Sequence, residues 1–149
     1  MPKLLVFVPC QKVVVSQDEN MPTLISILTE MKGTYIGTRE PTQDDISPLR
    51  WAIFTMWKRE DGDASKEYQM FVSVVSPSGR KPLEAVTKFR LDKDTHRHTI
   101  HVPGVPIGEP GIWTLKLFLA ESDQAPMDPI ATYEMPIEFE RHGIADSSD

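Results

Sequence analysis

Histidines crowd one short stretch of this chain, at His96, His98 and His101. Imidazole is the commonest metal ligand, and two of them two residues apart on a strand share a face and could reach one ion. His101 has the other parity and points away, unless a bulge falls at Thr99 or Ile100. Asp92 and Asp94 are near, but no cysteine or carboxylate stands at ligand spacing beside the pair. Metal sites demand more ligands than two. The plainer expectation is a polar strand with solvated histidines, and a metal-binding module through His96 and His98 is kept as an alternative.

Cys10 is the single cysteine. A nucleophilic thiol needs a lowered pKa and a nearby base. An unpaired cysteine more often serves as a small buried apolar group, and that is the expectation here. Asp61 and Asp63 flank Gly62 like a fragment of a calcium loop, but the ladder of further ligands and the closing glutamate are missing, so a hairpin turn is expected. Asp44-Asp45 sits in a polar stretch and reads as loop. No glycine-rich phosphate loop, nucleophile elbow or zinc-protease motif occurs. No catalytic residue and no cofactor is therefore assigned.

The elements that must carry these residues follow from hydrophobic period. Trp113, Leu115, Leu117 and Leu119 alternate with Thr114, Lys116 and Phe118. Tyr133, Met135, Ile137 and Phe139 alternate with Glu134, Pro136, Glu138 and Glu140. Strict alternation is the mark of a strand with one buried face. Pro136, lacking an N–H, suggests an edge. Leu49 to Lys58 is apolar on both faces, with Trp51, Ile53 and Trp57 on one and Ala52, Phe54 and Met56 on the other. Tyr68 to Val74, Ala85 to Leu91 and His98 to Val102 add further strands, as do Lys3 to Val8 and Lys12 to Ser16, with a bend expected at Pro9. Thr23 to Met31 fits helical and strand spacing alike; its β-branched content favours strand. Gly37 to Ser47 and Gly104 to Gly111 read as loops, and Arg141 to Asp149 as a disordered tail beyond a single domain at 1–140.

Composition agrees. A chain of 149 residues fits one domain. Thirteen prolines, mostly between apolar runs, favour short strands over long helices. The net charge of −6 argues against nucleic acid, which needs a basic patch. No apolar run approaches membrane-span length, and a lone cysteine suits a reducing compartment, so a soluble cytoplasmic protein is expected. The fold expected is an all-β, two-sheet antiparallel sandwich of about seven to nine strands, immunoglobulin-like in kind.

Several motifs carry a resemblance. They are Cys10-Gln11-Lys12-Val13, then Pro22-Thr23-Leu24-Ile25-Ser26-Ile27-Leu28 after a polar turn, Pro48 to Phe54, Pro77 to Arg80, and Glu109-Pro110-Gly111. Together they resemble an uncharacterised bacterial family of small immunoglobulin-like β-sandwich proteins, a domain of unknown function. Gln11 departs from the acidic residue expected there. The resemblance implies the fold and brings no activity or site.

The function expected is a non-enzymatic interaction or structural module. Phe54, Met56 and Phe118 fall on outer strand faces and, if they meet, form an apolar patch for a protein partner or a homo-oligomer. Trp57, near a strand end, is the tryptophan expected to join them. A small-ligand-binding protein or enzyme using the loops Gly37 to Ser47 and Gly104 to Gly111 is the second expectation.

Overall fold

The computed structural model describes residues 1–16, 21–37, 39–126 and 128–142, the last by its backbone alone. They form strands and no helix. In chain order the strands are β1 (Lys3–Val15), β2 (Pro22–Ile27), β3 (Met31–Ile36), β4 (Ile46–Ser47), β5 (Trp51–Lys58), β6 (Glu67–Val75), β7 (Leu83–Arg90), β8 (Thr95–Val102), β9 (Val105–Pro106), β10 (Gly111–Glu121) and β11 (Ala131–His142). One sheet runs β2-β1-β5-β8, the facing sheet β3-β11-β10-β6-β7, and β4 pairs β9 alone. Every pairing is antiparallel except β3 with β11.

That order is an immunoglobulin-like sandwich. β1, β5 and β8 take the places of strands A, B and E, while β6, β10 and β11 take those of C, F and G, with β7 added beside C. Antibody domains join B to F by a disulfide. This chain has one cysteine and instead sets Trp57 and Trp113, both wholly buried, on the corresponding strands. An indole hiding roughly 200 Å² at about 25 cal/mol per Å² contributes at most about 5 kcal/mol. A disulfide contributes about 2–4 kcal/mol. Burial of either indole is thus of the same order as such a cross-link, less the cost of the Trp57 N–H, which has no partner among the described residues.

Alternation places the core as expected. Trp51, Ile53 and Trp57 meet Tyr68, Met70, Val72 and Val74 and the row Trp113, Leu115, Leu117 and Leu119 across the sheets. Other expectations are corrected. Pro9 does not split the first strand, because it stays in register opposite Ile53 and its carbonyl accepts the N–H of Leu28 at 2.9 Å. Thr23 to Met31 is two strands' worth of chain: β2 ends at Ile27 in one sheet and Met31 opens β3 in the other. The Asp61-Gly62 turn joins strands of different sheets, so it is a crossover and not a hairpin. Asp63 is buried there, accepting Tyr68 Oη–H at 2.6 Å and the Glu60 N–H at 2.8 Å. Pro136 is bare of a β3 neighbour, whose pairing starts at Ile137, but β11 beyond it is internal. Arg141 and His142 belong to β11, and the rest of the expected tail lies outside the described residues.

At one end of the sandwich the two long loops are stitched together. β4 pairs β9, and the Ile107 N–H donates to the Asp45 carbonyl at 3.2 Å. Gly108 runs so close to the Thr42 carbonyl that a Cβ would overlap it. Arg80, after the turn between β6 and β7, donates to Glu109 Oε2 at 2.8 Å and to the Gln43 carbonyl at 3.3 Å. Glu109 also accepts the Ser78 N–H at 2.7 Å. The bond from Ser78, aided by Arg80 and opposed by burial, holds the Glu109 carboxyl at about 2.

A carboxyl depressed on folding lends stability above its unfolded value and loses it as pH falls toward its folded one. Stability is therefore expected to drop between pH 4.5 and about 2 through this group. Urea melts across that range should show a shallower acid loss for Glu109→Gln than for the wild type. Parallel curves would remove Glu109 from the acid response.

Candidate binding cleft

The cleft begins with a kink. β1 pairs β5 up to Cys10 and then continues as a hairpin with β2. Ser26 takes a left-handed φ of 55° opposite Gln11, uncommon for a residue with a Cβ, while the register stays unchanged on either side. Beyond the kink Val13 and Leu24 turn onto the outer face of the first sheet, against Cys10, Ala52 and Phe54. The hairpin thus leans over β5 as an arm, and a cleft of about 750 Å³ opens beneath it.

Val13 and Ile25 from the arm, Ala52 from β5, and Val102 with Pro103 at the end of β8 give the cleft apolar walls. Trp51 sits beside them, its indole N–H fixed to the Gly104 carbonyl at 2.8 Å. Lys12, Arg50 and His101 stand at the rim, all exposed, with Gln11 next to them. Neither Lys12 nor Arg50 has an ion-pair partner among the described residues, and no described lining residue is a carboxylate or a thiol. A volume of this size suits a small organic ligand, since such sites run to about 300–1,000 Å³.

The residues singled out from the sequence lie elsewhere, apart from His101. His96 and His98 share a face, as their spacing requires, but it is the inner one, opposite Trp57 and Thr55 of β5. Both are half-buried and not solvated. His96 stacks flat on Phe89 of β7 at 4.4 Å, and His98 Nε2 lies 3.2 Å from Thr87 Oγ1, so the pair closes the seam between the sheets. His101 points outward, level with Ala52. Among the described residues no group of three or more histidine, cysteine, aspartate or glutamate side chains could hold a metal ion. Asp45 and Asp63 are consumed by turns, the former by the Thr42 N–H at 2.7 Å and Arg39 at 3.0 Å. Cys10 is fully buried, and burial raises its thiol pKa above the ordinary value.

The apolar patch does not assemble. Phe54 and Met56 lie on the outer face of the first sheet, where Phe54 is covered by the arm, and Phe118 lies on the outer face of the second. Trp57 is not exposed at all; it is on the core face of β5, 6.0 Å from Phe89. The loops Gly37 to Ser47 and Gly104 to Gly111 are zipped to each other, and Ile46, Gly104 and Pro106 from them line an apolar hollow of about 350 Å³ with Trp51 and Pro82. The sequence reading missed Lys12 and Arg50. Their only signal is a lone cation heading each of two apolar runs, Lys12 before Val13 to Val15 and Arg50 before Trp51 to Phe54.

Burial first, and then a neighbouring imidazole, hold His96 and His98 below their ordinary value of 6.5. Groups neutral when folded lend stability above the unfolded value, and it is lost as protons bind the unfolded chain at lower pH. His96 Nε2 is buried without an acceptor among the described residues, so a charge there would stand uncompensated by them. The wild type should lose stability as pH drops below 6.5, and His96→Gln with His98→Gln should flatten that part of the curve. Thermal melts at closely spaced pH values read it; unchanged slopes would mean that folding leaves the proton affinity of the two imidazoles as it is in the unfolded chain.

No family model matches the chain, and no curated protein does. Among solved structures, an immunoglobulin-like protein from Pseudomonas aeruginosa matches with 16% identity and a TM-score of 0.41, over 92% of this chain and 96% of that one.

Proposed function

We propose that this chain is a non-catalytic binding module whose cleft beneath the β1–β2 arm takes an anionic ligand with an apolar body. One observation carries the reading: Lys12, Arg50 and His101 converge on one apolar-walled cleft with no carboxylate among its described lining residues. On a chain of net charge −6, a cleft rimmed by cations offers an anion local attraction against the general repulsion. At about 4 Å, one cation and one anion attract by ~1 kcal/mol in bulk water and ~4 kcal/mol at an effective dielectric of ~20. A rim that is partly wet lies between those limits, so each cation is worth about tenfold in affinity. The apolar walls would hold the rest of the ligand.

Chemistry on the bound molecule is not part of this reading. A thiol raised in pKa by burial, walled off by Ala52 and Phe54, is a poor nucleophile, and no carboxylate lines the cleft among the described residues.

Trp51 beside the cleft supplies a reporter. Tryptophan emission should shift saturably on titration with a medium-chain alkyl phosphate or alkyl carboxylate. Lys12→Glu and Arg50→Glu should each weaken binding about tenfold. Equal affinity in the doubly reversed variant, or no response to either probe, would overturn the proposal. Cys10 should meanwhile resist an aromatic disulfide reagent in the native protein and react once the chain is unfolded. A native thiol that reacts as fast as free cysteine would reopen a nucleophilic reading.

A further inference from the structure

On the outer face of the second sheet, Val86, Phe71 and Phe118 form one cross-strand row through β7, β6 and β10. Val86 is 55% exposed and the two phenylalanines are half-buried. Pro126, from the loop between β10 and β11, rims a shallow hollow of about 310 Å³ beside them. Two residues to either side of Val86 on the same outward face stand Glu84 and Lys88, both exposed. Neither has an ion pair among the described residues; the nearby Glu67 is bridged by Arg90 at 3.7 Å. The same steps along β6, from Phe71, reach Ser73 beside Glu84 and Gln69 beside Lys88.

Along β7 this spacing is self-complementary. A two-fold axis laid along the row Val86-Phe71-Phe118 turns a second copy over and reverses its strands. Each position two before the row then faces the position two after it. Glu84 meets the partner's Lys88, and Lys88 meets the partner's Glu84. Ser73, itself buried, stands opposite the partner's Gln69, and on β10 Lys116 stands opposite the partner's Ala120. The row itself meets its own image, so apolar faces apolar. Symmetric dimers need this property, one patch serving both sides.

We propose that two copies of this chain pair face to face through β6, β7 and β10, centred on Val86 and Phe71. Charge complementarity names the occupant: an unrelated partner would not require acid and base at equal distances on opposite sides of an apolar row, whereas a second copy does. Three strands about 4.8 Å apart and about 27 Å long offer a footprint of about 400 Å². That is half the usual contribution to a stable interface, so the dimer is expected to be weak and reversible. The proposal stands on different residues from the ligand cleft, which lies on the other sheet.

Sedimentation velocity across the micromolar to millimolar range tests it. The wild type should associate with concentration, and less so at high salt, because its paired charges are at the rim. Val86→Asp, at an exposed site that leaves the fold intact, should raise the Kd about 30-fold. Glu84→Lys and Lys88→Glu should each be monomeric, since each opposes like charges twice. Mixed in equal amounts, those two variants should dimerise with each other, because every facing pair is then opposite in sign. A wild type monomeric to millimolar concentration, a dimer indifferent to Val86→Asp, or a mixture that stays monomeric while the wild type pairs would each overturn the proposal.

Discussion

The structure depends on a strand that must be dry on both sides. β5 turns Trp51, Ile53 and Trp57 to the interior and Ala52, Phe54 and Met56 the other way. The facing sheet covers the first set, and an ordinary sandwich would leave the second in water. Exposing a phenylalanine costs about 2 kcal/mol or more relative to burial. The chain meets this by extending β1 past the sheet and folding the β1–β2 arm onto it, so that Val13 and Leu24 cover Ala52, Phe54 and Cys10. An arm that leans on one row and not the next leaves a gap, and that gap is the cleft. The left-handed Ser26 is where the hairpin is turned.

Charge divides along the same lines. Where the fold needs a loop fixed, acid and base are used up: Glu109 by Ser78 and Arg80, Asp45 by Thr42 and Arg39, Asp63 by Glu60 and Tyr68. Such groups are poor candidates for ligands because their lone pairs are already engaged. Lys12 and Arg50 at the cleft, and Glu84 and Lys88 beside the Val86 row, hold nothing in place. An exposed charge beside an apolar surface is free to meet a partner's charge while the surface meets its apolar part, and these two places became the candidates for binding.

Periodicity made much of this readable in advance. The rows from Trp113 and from Tyr133, and the two-faced run from Trp51, follow from side chains alternating across a strand. Parity, however, does not tell which sheet a strand joins. Phe54 and Phe118 both have outward parity, yet they sit on opposite outer faces of the molecule, because β5 and β10 belong to different sheets. Parity also placed His96 and His98 together while leaving open that their shared face is the inner one. β3 went unseen because Lys32, Gly33 and Thr34 give it no apolar row; its pairing with β11, about a hundred residues away, supplies what local pattern lacks. The cleft was hidden for the same reason. Lys12, Arg50 and His101 come from three segments that only the pairing of β1, β5 and β8 brings side by side.

The two candidate surfaces are on opposite sides of the sandwich, and this has a physical consequence. A cleft on the first sheet and a self-pairing face on the second do not compete for area. Two copies joined through their second sheets present their first sheets, arms and clefts outward in opposite directions. No cleft is occluded by the pairing, and no single small ligand can bridge the two clefts of one pair. Binding at each cleft is then independent unless the ligands are themselves attached to a common scaffold. In that case the second contact is made at the effective concentration set by the span of the pair, and a weak site gains avidity without any new contact. On the pairing and the ligand proposed above, a shallow interface and a modest cleft, each marginal alone, would together form a bivalent device suited to surfaces or assemblies that display the anion repeatedly.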